Sequence, residues 1–118
     1  AEKITYLQLN DGEDVVAGFN FEGLEALETL RMFRWTNLTT IPNLSTNTSL
    51  RWIRITDANI SAESLSNALI QIDGVDLTGA AQFYADGGTS AGLGDLTPAG
   101  LTAYNNLIAK SWTINLNA

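Results

Sequence analysis

Residues 50–56 read Leu50-Arg51-Trp52-Ile53-Arg54-Ile55-Thr56, and residues 30–36 read Leu30-Arg31-Met32-Phe33-Arg34-Trp35-Thr36. The two segments align position for position, with Leu30 matched to Leu50 and Thr36 matched to Thr56. Each ends in an alternation of apolar and polar residues, which is the period of a β-strand with one buried face. The alignment therefore predicts two neighbouring strands in which Phe33 and Ile53 point into a shared interior.

Three further short segments show the same alternation. They are Leu7-Gln8-Leu9-Asn10, Ala81-Gln82-Phe83-Tyr84 and Ile114-Asn115-Leu116-Asn117. The intervals between successive segments are close to the repeat lengths of solenoid proteins. Because a parallel crossover needs about a dozen residues, all five predicted strands can run in the same direction, and Ile114 then shares the interior of Phe33 and Ile53.

Two helices are predicted in the long connections. Ser61-Ala62-Glu63-Ser64 offers a capping serine and an acid in the first turn, and Leu65, Leu69 and Ile72 form one apolar side. Thr97-Pro98 places a capping hydroxyl before a proline at the first helical position. The expected apolar stripe of that helix is Leu101, Tyr104 and Ile108, with Lys110 near its carboxyl end. A third, shorter apolar spacing occurs at Leu24, Leu27 and Leu30.

These residues resemble the leucine-rich-repeat family. Leu50-x-x-Ile53-x-Ile55-x-x-Ala58-x-Ile60 follows the family pattern LxxLxLxxNxL with alanine at the usual asparagine position, and residues 37–42 resemble the family's turn towards its convex side. Residues 96–114 are similar to the last repeat of irregular leucine-rich-repeat modules in bacterial surface proteins and phage structural proteins, where glycine commonly stands at the position of Ser111. Ser111 then either adopts a left-handed backbone or the helix ends differently.

The resemblance implies an α/β fold, a short solenoid over residues 1–118 with a parallel sheet of about five strands and helices on the convex side. It implies a scaffold for binding rather than one chemistry. The expected setting is extracellular, on a phage virion or a bacterial cell surface, and the expected role is a structural or interaction module that contacts protein.

The composition of the chain excludes several classes of partner and of chemistry. The chain has 118 residues, 45% of them hydrophobic, which is one domain's worth of material. Six basic residues against thirteen acidic ones give a net charge of −7, which opposes binding to nucleic acid or to an anionic membrane. Cysteine and histidine are both absent, so thiolate and imidazole chemistry are excluded. No apolar run approaches the roughly 20 residues that span a bilayer, so no membrane insertion is expected.

The candidate binding site is the outward face of the predicted sheet. With Leu30 aligned to Leu50, one column of outward side chains contains Gln8, Arg34, Arg54, Gln82 and Asn115. Neighbouring columns contain Tyr6, Met32, Trp52, Ala80 and Thr113, and Asn10, Thr36, Thr56, Tyr84 and Asn117. Arginine beside aromatic residues is typical of binding hot spots. The site is therefore predicted at Tyr6, Gln8, Met32, Arg34, Trp52, Arg54, Gln82 and Tyr84. The alternative is a merely solubilising face, on which the arginine stems cover Met32 and Trp52.

Other polar residues are assigned to structure rather than to chemistry. Asp11, Glu13 and Asp14 could offer oxygens to calcium, but their spacing is not that of a calcium loop, and no metal or cofactor is expected. Asp73 with Asp76, and Asp86 with Asp95, are expected to serve as turn and cap residues. No segment groups an acid with a nucleophile or an oxyanion site, so the sequence predicts a non-enzymatic protein.

The ends of the predicted sheet suggest a second kind of contact. The first and last strands lie near the two ends of the sequence, which leaves little room for the capping repeats that usually close a solenoid. Either charged residues and short edges suffice there, or the chain is a piece of a longer protein, or another chain covers the ends. In the last case Ile4 and Tyr6 of one copy would meet Trp112, Ile114 and Leu116 of the next in a head-to-tail filament. A carbohydrate- or receptor-binding adhesin is the other alternative function.

Overall fold

The computed structural model describes residues 4–12, 21–77 and 80–117. The elements, in chain order, are β1 (Tyr6–Asn10), β2 (Thr29–Phe33), β3 (Trp52–Thr56), α1 (Ala62–Val75), β4 (Ala81–Ala85), a short 3₁₀ turn (Leu93–Asp95), α2 (Pro98–Ala109) and β5 (Trp112–Leu116). All five strands are parallel and lie in the order in which they occur along the chain. The described residues therefore form an α/β fold with a five-strand parallel sheet and two helices, and the five strands are those that the alternating segments predict.

The register of the sheet differs from the prediction. Leu30 pairs with Ile53 and Met32 pairs with Ile55, whereas the predicted alignment matches Leu30 to Leu50. The two alignments differ by an odd number of positions, and in a strand an odd shift moves a side chain to the opposite face. Met32 is consequently fully buried, whereas Phe33 lies on the outward face beside Arg31. The prediction that Phe33 points inward is wrong, while Ile53 is buried as expected.

A backbone turn repeats at the same interval and explains this register. Asp11, Arg34 and Asp57 each follow the last residue of a strand and have φ values of 58°, 60° and 57°. Their N–H groups donate to carbonyls of the next strand's end, from Asp11 to Phe33, from Arg34 to Thr56 and from Asp57 to Asp86. Each left-handed residue ends its strand, so Arg34 lies beyond β2 rather than within it.

The apolar spacing at Leu24, Leu27 and Leu30 does not form a helix. The N–H of Leu24 donates to Phe21, and the N–H of Leu27 donates to Leu24, so the chain makes two successive turns before β2. The same pair of turns recurs before β3, from Asn47 to Leu44 and from Leu50 to Asn47. Leu27 and Leu30 are fully buried by these turns and by the strand.

Helix α1 has the predicted cap and buried side. The Ser61 hydroxyl accepts a hydrogen bond from the N–H of Ser64 at 3.2 Å, and Leu65, Leu69 and Ile72 belong to the buried core. Helix α2 also has its predicted cap, because the Thr97 hydroxyl accepts from the N–H of Gly100 at 3.1 Å.

The buried side of α2 is not the predicted stripe. Gly100, Ala103 and Leu107 face the interior, while Leu101 is 44% exposed and Ile108 is 45% exposed. The reason lies in the contact between the two helices. A Cβ on Gly100 would lie 2.5 Å from both Cβ and Oγ of Ser66 in α1, so the close approach at this glycine sets the rotation of α2 about its axis.

This contact predicts opposite effects of two glycine-to-alanine substitutions. Gly100→Ala should lower the free energy of unfolding by about 1–2 kcal/mol, because the added methyl overlaps Ser66 across the helix pair. Gly74→Ala in α1 meets no atom within 4 Å and should raise it by about 0.5–1 kcal/mol through helix propensity. Urea unfolding of both variants measures the difference. Stabilisation by both substitutions would show that α2 does not approach α1 at Gly100.

The end of α2 follows the first of the two alternatives that the resemblance left open for Ser111. Ser111 has a φ of 75°, so it adopts the left-handed conformation for which glycine is the usual residue. Lys110, just before it, holds the ends of the two helices together. Its Nζ donates to Asp73 Oδ1 at 2.6 Å and to Asp76 Oδ1 at 2.8 Å.

The Lys110 contacts predict a loss of stability at high pH. The hydrogen bond to Asp73 and then that to Asp76 raise the pKa of Lys110 above its ordinary value. A raised pKa in the folded state means that the contribution is complete below about pH 10, the unfolded lysine pKa, and is lost as pH rises through the folded value. Lys110→Met should therefore cost about 1 kcal/mol at pH 8 and less at pH 11.5. Urea unfolding at both pH values tests this, and a difference from wild type that does not shrink would contradict it.

The open sheet face as candidate functional site

The outward side of the sheet is called here the open sheet face. In the observed register one column across it contains Tyr6, Thr29, Trp52, Gln82 and Thr113, and the next contains Gln8, Arg31, Arg54, Tyr84 and Asn115. Phe33 and Asn10 follow at the carboxyl ends of β2 and β1. These side chains are exposed or half-buried, whereas the alternate residues of the central strands are buried. The alternate residues share one apolar cluster with the inward sides of α1 and α2.

Six of the eight predicted binding residues lie on the open sheet face: Tyr6, Gln8, Trp52, Arg54, Gln82 and Tyr84. The other two do not. Met32 is fully buried, and Arg34 stands beyond the end of β2, where it forms an ion pair with Asp11. Their places are taken by Phe33 and Arg31. The signal that identifies Arg31 was present in the sequence, because Leu27-x-x-Leu30-x-Met32 also matches Leu50-x-x-Ile53-x-Ile55.

A hydrogen-bonded group occupies the β1 side of the open sheet face. The Tyr6 hydroxyl donates to Gln8 Oε1 at 2.6 Å, and Gln8 Nε2 reaches Asn10 Oδ1 at 3.4 Å. Arg31 Nη1 donates to the Tyr6 hydroxyl at 3.3 Å. Arg31 is thereby held towards β1.

Both arginines of the open sheet face lie over aromatic rings. The Arg31 Cζ is 4.9 Å from the centre of the Phe33 ring, and the Arg54 Cζ is 4.5 Å from the centre of the Tyr84 ring. Such stacking positions a guanidinium while leaving its edge available for hydrogen bonds. Arg54 leans towards β4 and Arg31 towards β1, and a depression of about 220 Å³ lies between them, lined by Thr29, Arg31, Trp52, Arg54 and Gln82.

The exposed ion pair of Arg34 with Asp11 connects the carboxyl ends of β1 and β2. The pair has two hydrogen bonds, from Nε to Oδ1 and, at 3.0 Å, from Nη2 to Oδ2. These bonds lower the pKa of Asp11, and the bond to Asp11 raises the pKa of Arg34. Both side chains are more than half exposed, so water screens the attraction and the pair adds little to stability.

The candidate calcium ligands are not assembled in the part of the chain that the structure describes. Asp11 is engaged with Arg34, and Glu13 and Asp14 lie outside the described residues. Among residues 4–12, 21–77 and 80–117, no group of three acids is placed to hold a metal ion.

Asp95 and Asp76 act as cap residues, as predicted, whereas Asp73 lies within α1 and pairs with Lys110. Asp95 Oδ2 accepts from the N–H of Gly92 at 2.9 Å, and Asp76 ends α1 with a φ of 66°. The backbone of the glycine-rich loop after β4 is held by Asn117, whose Oδ1 accepts from Gly87 and whose Nδ2 donates to Gly87 and Ser90 carbonyls.

The two edges of the sheet carry a different set of exposed residues. Ile4 is 49% exposed and Tyr6 is 51% exposed at the β1 edge. At the β5 edge, Ile114 and Leu116 are half-buried, but Trp112 is only 3% exposed. Its indole N–H donates to the Leu77 carbonyl at 3.0 Å, so Trp112 is an interior residue and its assignment to an assembly surface is wrong.

Comparisons of the chain with protein-family models, with curated proteins and with solved structures give no match. Within the described residues, neither helix is long and apolar enough to cross a bilayer.

Proposed function

We propose that residues 1–118 form a leucine-rich-repeat-like solenoid that acts as a non-enzymatic interaction module and binds a protein partner through the open sheet face. The observation that carries the proposal is this face itself: two arginines stacked on aromatic rings beside Trp52, which is 39% exposed. Residues of these types dominate the binding energy of protein interfaces, because they combine large contact areas with directed hydrogen bonds.

The repeat interval supports the solenoid part of the proposal. The first three strands and their left-handed end residues recur at one constant interval, which runs from Leu7 to Leu30 and from Leu30 to Ile53. The paired turns before β2 and β3 recur at the same interval. This interval falls within the range of leucine-rich repeats, which are about 20–29 residues long. The setting, on the outside of a phage particle or a bacterial cell, follows from the resemblance of residues 96–114 to the last repeats of proteins found there.

Site-specific photocrosslinking in cells that produce the protein tests the proposal. A photoreactive amino acid replaces Gln82 on the open sheet face, and in a matched variant it replaces Asn67, an exposed residue of α1. The expected result is a defined protein adduct from position 82 and none from position 67. Adducts from neither position, or equal adducts from both, would contradict binding through this face.

A glycan array examines the rival adhesin function with the same face. Specific glycan binding that is lost in Trp52→Ala, together with no protein adduct from position 82, would replace the proposed function by carbohydrate recognition. The absence of glycan binding on the array, together with a protein adduct from position 82, supports protein binding.

Head-to-tail assembly is a second candidate, favoured by the exposed apolar residues at both edges. Leu93 is 39% exposed and lines a depression of about 160 Å³ beside β5, together with Tyr104, Ile114 and Leu116. Ile4 and Tyr6 are about half exposed at β1. Since both edge strands run in the same direction, a second copy could extend the parallel sheet without reversing.

Light scattering over a wide concentration range measures this assembly. We expect the mean mass to rise with concentration and the rise to disappear in Leu93→Lys, whose charge would lie in the depression at the contact. A constant monomer mass for wild type would exclude it.

A further inference from the structure

The gap between Arg31 and Arg54 has features that protein–protein contact alone does not explain. The two residues are register partners on adjacent strands and point to the same side. Like charges placed directly opposite each other destabilise a sheet. Arg34 and Lys110 form ion pairs with acids, whereas neither Arg31 nor Arg54 is paired with an acid of the described residues.

Arg31, which lines the gap, also has an unsatisfied donor. Arg31 Nε is buried and has no hydrogen-bond partner among the described residues. Buried donors in folded proteins are nearly always paired, so this orphan donor leaves one guanidinium of the lining incompletely satisfied by the chain itself. Here the orphan belongs to a guanidinium, whose planar edge matches the two oxygens of a carboxylate.

The size and walls of the gap define the ligand further. Its volume of about 220 Å³ is smaller than the roughly 300–1,000 Å³ of sites that enclose a whole small molecule. It suits a single side chain presented by a larger partner. The half-exposed Trp52 ring forms an apolar wall for a methylene stem, and Thr29 and Gln82 complete the lining.

We propose that the gap between Arg31 and Arg54 binds the carboxylate of a glutamate or aspartate side chain of a partner protein. The inference rests on the proposed function of the open sheet face and specifies which chemical group that face recognises. In a chain of net charge −7, the arginine pair is a local positive site, so an acidic partner residue is attracted to this point and repelled elsewhere.

Titration followed by ¹H–¹⁵N NMR tests the carboxylate with defined probes. The probes are a hexapeptide with one central glutamate, the same peptide with glutamine, and glucuronate as a saccharide carboxylate. We expect the glutamate peptide to shift the Arg31 Nε–H and Trp52 indole signals saturably and the glutamine peptide to leave them unchanged. Shifts with glucuronate alone would overturn the assignment to a protein side chain, and equal shifts with glutamate and glutamine would overturn recognition of the carboxylate.

Two variants separate the pocket from general electrostatics. Arg54→Gln should reduce the affinity for the glutamate peptide at least about tenfold, since one guanidinium of the pair is removed. Arg51→Gln changes the net charge equally but lies outside the lining of the gap, and it should change the affinity less than about twofold. Dispersed amide spectra establish that both variants are folded. Arg31→Lys keeps the charge but loses Nε, and it should reduce the affinity for the glutamate peptide about as much as Arg54→Gln does. Equal weakening by Arg54→Gln and Arg51→Gln would overturn the proposal.

Failure of this inference is distinguishable from failure of the proposed function. Protein adducts from position 82 that persist in Arg54→Gln, with no shift by the glutamate peptide, would overturn the carboxylate site and leave protein binding intact. Absence of adducts from wild type would remove both.

Discussion

Gly88→Ala is expected to lower the free energy of unfolding by about 3 kcal/mol. Gly88 has a φ of +55°, and a Cβ there would lie 2.4 Å from the carbonyl oxygen and 2.8 Å from the nitrogen of Ala58. The atoms that it would strike are backbone atoms, so no side chain can rotate away. The N–H of the next residue, Thr89, donates to the same Ala58 carbonyl at 2.9 Å, which holds the loop after β4 against the end of β3.

Gly23→Ala is the matched control for this substitution. Gly23 also has a positive φ, +86°, but a Cβ there meets nothing within 4 Å. Gly23→Ala should therefore lower the free energy of unfolding by about 1 kcal/mol, through backbone strain alone. Urea unfolding of the two variants separates steric overlap from strain. Equal losses of unfolding free energy in the two variants would show that the loop after β4 does not pack closely against Ala58.

Asn47→Ala is expected to lower the free energy of unfolding by about 2–3 kcal/mol. Asn47 is 2% exposed, and its Nδ2 donates to the carbonyls of Phe21 and Leu24 at 3.0 and 3.1 Å. Both acceptors belong to the turns that precede the neighbouring strand. Alanine would remove both bonds between successive turns and leave a small void in the core.

The exposed Asn43 supplies the comparison for Asn47. Its Oδ1 accepts only from the N–H of the nearby Ser45 at the surface, so Asn43→Ala should cost less than about 1 kcal/mol. Thermal and urea unfolding of the two variants provide the measurement. A small effect at Asn47 would mean that the bonds between turns do not hold the strands in register.

The strands and the two helices could be predicted because the sequence features that specify them lie within each segment. The strand alternation and the Ser61 and Thr97 caps each depend on a few neighbouring residues, and each is present in the structure. The candidate site was partly predicted for the same reason. Six of its residues were placed correctly by the period of two, since outward positions within one strand follow from that strand alone.

The errors arise where the signal depends on two distant segments. Leu30 can be aligned with either Leu50 or Ile53, and both alignments match apolar residues with apolar residues, but only the first also matches Arg34 with Arg54. In the structure Arg34 adopts a left-handed turn after β2 and pairs with Asp11. Likewise, the stripe of α2 was misassigned because a glycine, which carries no apolar side chain, marks its inward side at Gly100.

The amino-acid sequence by itself determined the acidic net charge, the five alternating segments, the two capped helices and the concentration of arginine in and beside the central strands. Its long connections allowed the strands to be parallel. Only the tertiary structure decided which arginine stands beside Arg54, which apolar residues are buried, and that Trp112 belongs to the interior. The physical reason is that alternation specifies two faces but not their alignment with the next strand. The turns at Asp11, Arg34 and Asp57 and the bonds of Asn47 set that alignment, and they exist only once neighbouring strands are packed together.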